Sequence, residues 1–138
     1  MGIDEKTRIV EVFNSSGHVY ASANGYMSIR VYTKDQACAD FIARKFDVEC
    51  RRHKMIFEIS VTGKKPMVRT AMMLLDCPDL SSQKRDMLRI VVKYVRANTK
   101  QDRFDIVSLF RHKYYSNSAK TRQTESAKSD SRRGSGAL

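Results

Sequence analysis

The chain has 138 residues, 41% of them apolar, which is enough for one ordinary core followed by a tail. Its 26 lysines and arginines outnumber 15 acidic residues, and the net charge of +11 points to an acidic partner, with nucleic acid ahead of membrane. The longest apolar runs, such as residues 71–75, are far too short to span a bilayer, and Asp4 and Glu5 stand where a secretory leader would be basic and then apolar.

Residues 6–15 place Ile9, Val12 and Phe13 on one face at spacings of three and four, with Val10 widening the stripe, so they predict a helix that Gly17 ends. Residues 18–22 and 26–32 then alternate, and Asn24-Gly25 supplies the positive φ that a tight hairpin turn needs. Thr33 followed by Gln36 reads as a capping box for a helix whose apolar face is Ala37, Phe41, Ile42 and Phe46. A second hairpin is expected over 48–52 and 55–62. Pro66 suits the first turn of a third helix carrying Val68, Ala71, Met72 and Leu75, because proline lacks an N–H that would be unpaired there. Pro78 breaks that helix, and Ser81 or Ser82 can cap the next, with its stripe of Met87, Leu88, Val91, Val92 and Val95. A last helix over 102–115 shows Phe104, Val107, Leu109 and Phe110.

Beyond residue 115 the apolar residues stop. The expected organisation is therefore a folded domain over 1–115 and a disordered basic tail over 116–138, able to add sequence-blind attraction to phosphate or to serve solubility alone. Cys38, Cys50 and Cys77 are widely spaced and form no CxxC pair, which argues against a zinc site and a disulfide framework and for reduced thiols in an intracellular protein. Cys38 and Cys50 read as small core residues, and Met72 and Met73 as core filling. Gly63-Lys64-Lys65 lacks the spaced glycine and the hydroxyl of a phosphate loop, and His18, His53 and His112 are scattered.

Two stretches, Ile9 through Gly17 and Pro78 through Arg85, together resemble the LAGLIDADG homing endonuclease family. Ile9 through Gly17 lies over the nine positions of its motif, with Val12 and Phe13 at apolar places, Ser15 at a small place and Gly17 at the final glycine. Pro78-Asp79-Leu80-Ser81-Ser82-Gln83-Lys84-Arg85 resembles the Pro-x-Leu and nearby lysine that open the family's late helix. With Met27-Ser28-Ile29-Arg30-Val31 between them, the resemblance covers roughly residues 6–98. It implies an α+β fold of order αββαββα, a four-stranded antiparallel sheet with helices on one face, and extra C-terminal helices.

The resemblance also implies two motif helices paired side by side, each ending in an acidic metal ligand. Here that place is Ser16, and the other acidic motif position is Asn14. A hydroxyl cannot replace a carboxylate at a magnesium site, since hard dications are held mainly by anionic oxygen. Glu11 stands where the family tends to have glycine and resists tight pairing, which puts a homodimer through the first helix in doubt. Lys84 matches the lysine near the scissile phosphate. No cofactor is expected, with magnesium needed only if nuclease activity is retained.

With Met27, Ile29 and Val31 against the helices, strand alternation sends Tyr26, Ser28, Arg30 and Tyr32 to the opposite face. The same division exposes His18, Tyr20 and Ser22, then Arg51 and His53, then Glu58, Ser60 and Thr62. Arg51-Arg52-His53-Lys54 forms a basic hairpin tip, and Lys64 and Lys65 follow the last strand. Guanidinium groups for guanine edges and phosphates, and hydroxyls for phosphates, point to a nucleic-acid surface. Duplex DNA is the favoured partner, read through Tyr20, Tyr26, Ser28, Arg30, Tyr32, Arg51, His53, Lys54, Lys64 and Lys65, with metal-dependent cleavage lost or weakened. Three alternatives stay open. One is a nuclease that still cuts as a dimer, using Glu11 or a partner's acid. Another is an RNA-binding splicing or ribonucleoprotein component whose tyrosines stack on unpaired bases. The last is an interaction domain whose charge serves solubility.

Overall fold

A computed structural model describes residues 3–115, so the expected basic tail lies outside the described residues. In chain order the elements are α1 (Ile3–Ser16), β1 (Gly17–Ala21), β2 (Met27–Thr33), α2 (Gln36–Phe46), β3 (Cys50–His53), β4 (Ile56–Val61), α3 (Lys64–Leu75), α4 (Ser82–Arg96), α5 (Lys100–Phe110) and a π-helical turn, Arg111–Tyr115. The four strands form one antiparallel sheet in the order β1-β2-β4-β3. This is the α+β architecture that the sequence predicts. Among the described residues no helix is long and apolar enough to cross a membrane.

The core lies between the helices and one face of the sheet. Pairing of Gly17 with Val31, Val19 with Ile29, and Ala21 with Met27 puts a continuous apolar surface on that face, which β4 extends through Ile59 and Val61. Ile9, Val10 and Phe13 of α1, Phe41, Ile42 and Phe46 of α2, Met67, Ala71 and Leu74 of α3, and Leu88, Val91 and Val92 of α4 bury themselves against it. Spacings of three and four on each helix produce these stripes, and period two produces the strand face.

Several local expectations need correction. The cap of α2 is Asp35, whose carboxylate accepts from the Cys38 amide at 3.2 Å, while Thr33 Oγ1 accepts from the Asp35 amide at 3.1 Å. A carboxylate accepts more strongly than a hydroxyl, so the helix starts at Gln36, two residues later than a cap at Thr33 would place it. Ala37 in consequence is exposed. The first hairpin turns where expected, with the positive φ at Gly25 and not at Asn24: the Gly25 amide donates to Ser22 O and the Ser22 amide to Tyr26 O, which closes a three-residue loop with a glycine bulge. Met72 is exposed, and Cys38 and Cys50 are only half-buried. Phe104 and Leu109 are exposed as well, leaving Val107 and Phe110 as the buried face of α5.

Charged side chains close the helix ends. Arg85 donates from Nη1 to Leu75 O at 2.9 Å, satisfying a carbonyl at the end of α3, and from Nη2 to Cys77 O at 2.7 Å in the loop that follows. Ser81 caps α4, as the sequence allowed, by accepting from the Lys84 amide. Gly17 is required for space: a Cβ there would overlap the ring of Phe13, which is fully buried. Gly17→Ala is expected to lower the stability of the fold by about 1–3 kcal/mol through overpacking, measured by urea unfolding. An unchanged midpoint would mean that the Phe13 ring has room to move.

Candidate nucleic-acid interface

The face of the sheet away from the helices carries His18, Tyr20, Ser28, Arg30, Tyr32, Arg51, His53, Ile56, Glu58 and Ser60, placed there by the strand registers His18↔Arg30↔Ser60, Tyr20↔Ser28, Tyr32↔Glu58↔Arg51 and His53↔Ile56. Its centre is a network around Glu58, a carboxylate that is only 13% exposed. Tyr32 donates its hydroxyl to Glu58 Oε2 at 3.0 Å, Arg30 Nη1 lies 3.6 Å from the same oxygen, and His53 Nε2 meets Oε1 at 3.2 Å. Arg30 also donates to Ser28 Oγ at 3.0 Å and to the Tyr32 hydroxyl at 3.3 Å, and its guanidinium lies 4.0 Å from the centre of the Tyr20 ring. His18 stacks on Tyr32 with ring centroids 5.2 Å apart.

Arg30, Tyr20, Tyr32 and His53 are thus brought together and held by one another. Ser28 is the exception to the expected open placement: it is on the outer side of the strand but 3% exposed, covered by the arginine it bonds to. Tyr26, 64% exposed, lies just before β2 and borders a cleft of about 400 Å³ with Tyr94, Val95 and Arg103, so it stands apart from the Arg30 cluster. Arg51 and Lys54 are exposed at the second hairpin, and Lys64 and Lys65 open α3 beyond the end of β4. Glu58 was legible as an outward residue but not as the acceptor that organises the face, because alternation assigns a side without assigning a partner.

Beside this face α1 ends. Lys84 reaches across from the first turn of α4 and donates to the Gly17 carbonyl, with its ammonium 5.9 Å from the centre of the Phe13 ring. A cation is unfavourable at the start of α4 and favourable at the C-terminus of α1, and the direct bond to the carbonyl decides in favour of the latter. Burial holds the Lys84 pKa below the ordinary lysine value. Asn14 uses both ends of its amide, donating to Asp79 O and accepting from the Ser81 amide, each at 2.9 Å.

Those contacts test whether magnesium suits the place. Ser16 offers a neutral hydroxyl, Asn14 is engaged by the loop before α4, and the Gly17 carbonyl takes an ammonium group. Glu11 is exposed and five residues back along α1, about 7.5 Å of helix rise. Among the described residues no group of three or more His, Cys, Asp or Glu side chains could hold a metal ion. A neutral hydroxyl under a lysine does not fit a hard dication.

No protein-family model matches the sequence, and no curated protein is similar to it. The structure is similar to that of the homing endonuclease I-CvuI in complex with the I-CreI target, a structure with 2 mM Mg in which the DNA is not cleaved. The TM-score is 0.58 with 16% sequence identity, over 78% of this chain and 84% of the other. The fold is that of the LAGLIDADG homing endonucleases. At this identity the likeness speaks for the fold alone.

His18 supplies a pH prediction. Burial disfavours its charged form, the Lys84 ammonium and then the Arg30 guanidinium add repulsion, and Glu58 opposes them, so its native pKa lies below 6.5. Above the unfolded value both states are neutral and stability is full. As pH falls through about 6.5 the unfolded chain takes up the proton first, and stability drops until the native pKa is reached. Urea unfolding should therefore give a lower free energy at pH 5.5 than at pH 7.5, with a smaller drop in His18→Gln. Equal drops in the two proteins would remove His18 as the source.

Proposed function

We propose that this chain binds duplex DNA through the outer face of its sheet and does not cleave it by a metal-dependent route. The reading is supported foremost by the end of α1, where Ser16 stands at the acidic place of the LAGLIDADG resemblance and Lys84 closes on the neighbouring Gly17 carbonyl. The site keeps a cation suited to a phosphate and lacks the carboxylate suited to a metal. The chain is thus proposed to be a member of that family in which binding is retained and cutting lost.

The outer face accords with this role. Arg30 and Tyr20 are stacked and held in place, so little side-chain freedom remains to be lost when a duplex docks. Arg51 and Lys54 at the second hairpin, and Lys64 and Lys65 at the start of α3, add exposed cations. Phosphate contacts position the duplex, and the constrained arginine is the group able to read a guanine edge. The exposed side of α1 bears Asp4, Thr7, Arg8, Glu11 and Ser15, a charged and polar surface that does not favour helix-to-helix pairing of two copies.

The test is a titration of duplex DNA and of structured RNA with magnesium present, reading affinity and strand breaks from the same samples. Tight duplex binding without breaks is the expected result. Breaks that require magnesium would overturn the non-cutting reading, and preference for structured RNA would replace the DNA reading with an RNA one. Arg51→Ala should reduce the slope of log K against log salt by about 0.9, the value for one lost phosphate contact on B-DNA. Arg30→Ala should weaken binding to a preferred sequence by about 1–3 kcal/mol more than binding to random duplex, and equal losses would remove Arg30 from base reading.

A further inference from the structure

The second hairpin ends in two loop residues, Lys54 and Met55, closed by the pair His53↔Ile56. Lys54 has φ of 58° and Met55 is not in the positive-φ region, so the strain of the turn falls on a lysine where glycine would carry none. Arg52 holds this conformation: its Nε donates to the Lys54 carbonyl at 3.0 Å, and its guanidinium lies 5.6 Å from the centre of the Phe57 ring. The turn is therefore braced, and what it presents outward is Met55, 74% exposed, with Ile56 40% exposed beside it. Arg51, Arg52, His53 and Lys54 precede the apolar pair, and no acidic residue lies between Cys50 and Phe57.

An unbranched, polarizable side chain at the tip of a braced hairpin, with cations behind it, has the form of a wedge. Apolar side chains of this kind enter between stacked base pairs and kink the duplex while nearby cations neutralise the flanking phosphates. We propose that Met55 is a wedge that partly unstacks one base step when the sheet face docks on duplex DNA. This rests on the DNA-binding reading above and adds to it a source of selectivity: the energy of deforming the duplex depends on the step deformed. Pyrimidine–purine steps such as TA open readily, and stiff A-tracts resist. The tip would thus select sequence at a position where it makes no hydrogen bond to a base.

The experiment compares wild type with Met55→Gln on two duplexes of equal length, one with a central TA step and one with a central A-tract, each carrying 2-aminopurine at the centre. Wild type is expected to raise the 2-aminopurine fluorescence of the TA duplex several-fold at saturation and to prefer it by about tenfold. Met55→Gln is expected to bind with the same salt slope, to give no fluorescence rise and to bind the two duplexes equally. Because Met55 is exposed, thermal unfolding of the two proteins should coincide. A fluorescence rise and preference that survive in Met55→Gln, or saturated wild-type binding with no rise, would overturn the wedge while leaving DNA binding intact. Failure of wild type to bind either duplex removes the DNA reading and the wedge with it. Cosedimentation with phosphatidylserine vesicles that depends on Met55, without an effect on either duplex, would assign the tip to a lipid surface and overturn the proposal.

Discussion

The ring of Phe13 lies where a side chain of Gly17 would be, and this close approach determines how α1 hands over to the sheet. The helix ends without a basic residue in its own last turn, leaving carbonyl groups to be satisfied from elsewhere. Lys84 supplies the cation, and Asn14 locks the loop before α4 at the same level. The junction of α1 with β1 and the segment that opens α4, far apart in sequence, are thereby fixed at one point, beside the face that carries Arg30 and Glu58.

On that face the dominant balance is between one largely buried carboxylate and the donors around it. Glu58 would be costly to bury alone, and Tyr32, Arg30 and His53 compensate it. The same carboxylate restrains Arg30 and offsets part of its positive potential. Arg51 and Lys54 at the second hairpin and Lys64 and Lys65 at the start of α3 are exposed cations outside this network. A rigid centre and a cationic margin are the division of labour expected where register is set by phosphates and discrimination by a few fixed side chains.

How much of this was legible depends on the range of each interaction. Helices and strands were readable because their periods are local: the stripe Ile9, Val12, Phe13 and the alternation of Met27, Ile29 and Val31 each lie within one element. The positions of turns were readable, but their geometry was less so. Asn24-Gly25 marked a tight hairpin, while its closure as a three-residue loop rests on the hydrogen bonds of Ser22. The α2 cap moved from Thr33 to Asp35 because two competing side chains lie within one turn of each other. Burial of isolated residues was least readable. Met72 and Cys50 depend on what other elements place over them, and Ser28 is covered by an arginine two residues along its own strand. The resemblance to a motif helix located Ser16 and Lys84, yet the bond from Lys84 to Gly17 joins segments 67 residues apart and has no local signature.

One remaining feature concerns the edge of the sheet. β1 is an outer strand, and its exposed backbone is met by the last described residues: Arg111 donates to Ala21 O at 2.6 Å, and the Tyr115 hydroxyl accepts from the Ala21 amide at 2.9 Å and donates to Val19 O at 3.5 Å. An unpaired edge invites strand addition from another chain. The Tyr115 closure spans 94 residues, so during synthesis the first hairpin leaves the ribosome long before the residues that cover it. Between those two events the nascent protein carries an open template for misassembly, and the interval ends only when the final turn of helix arrives.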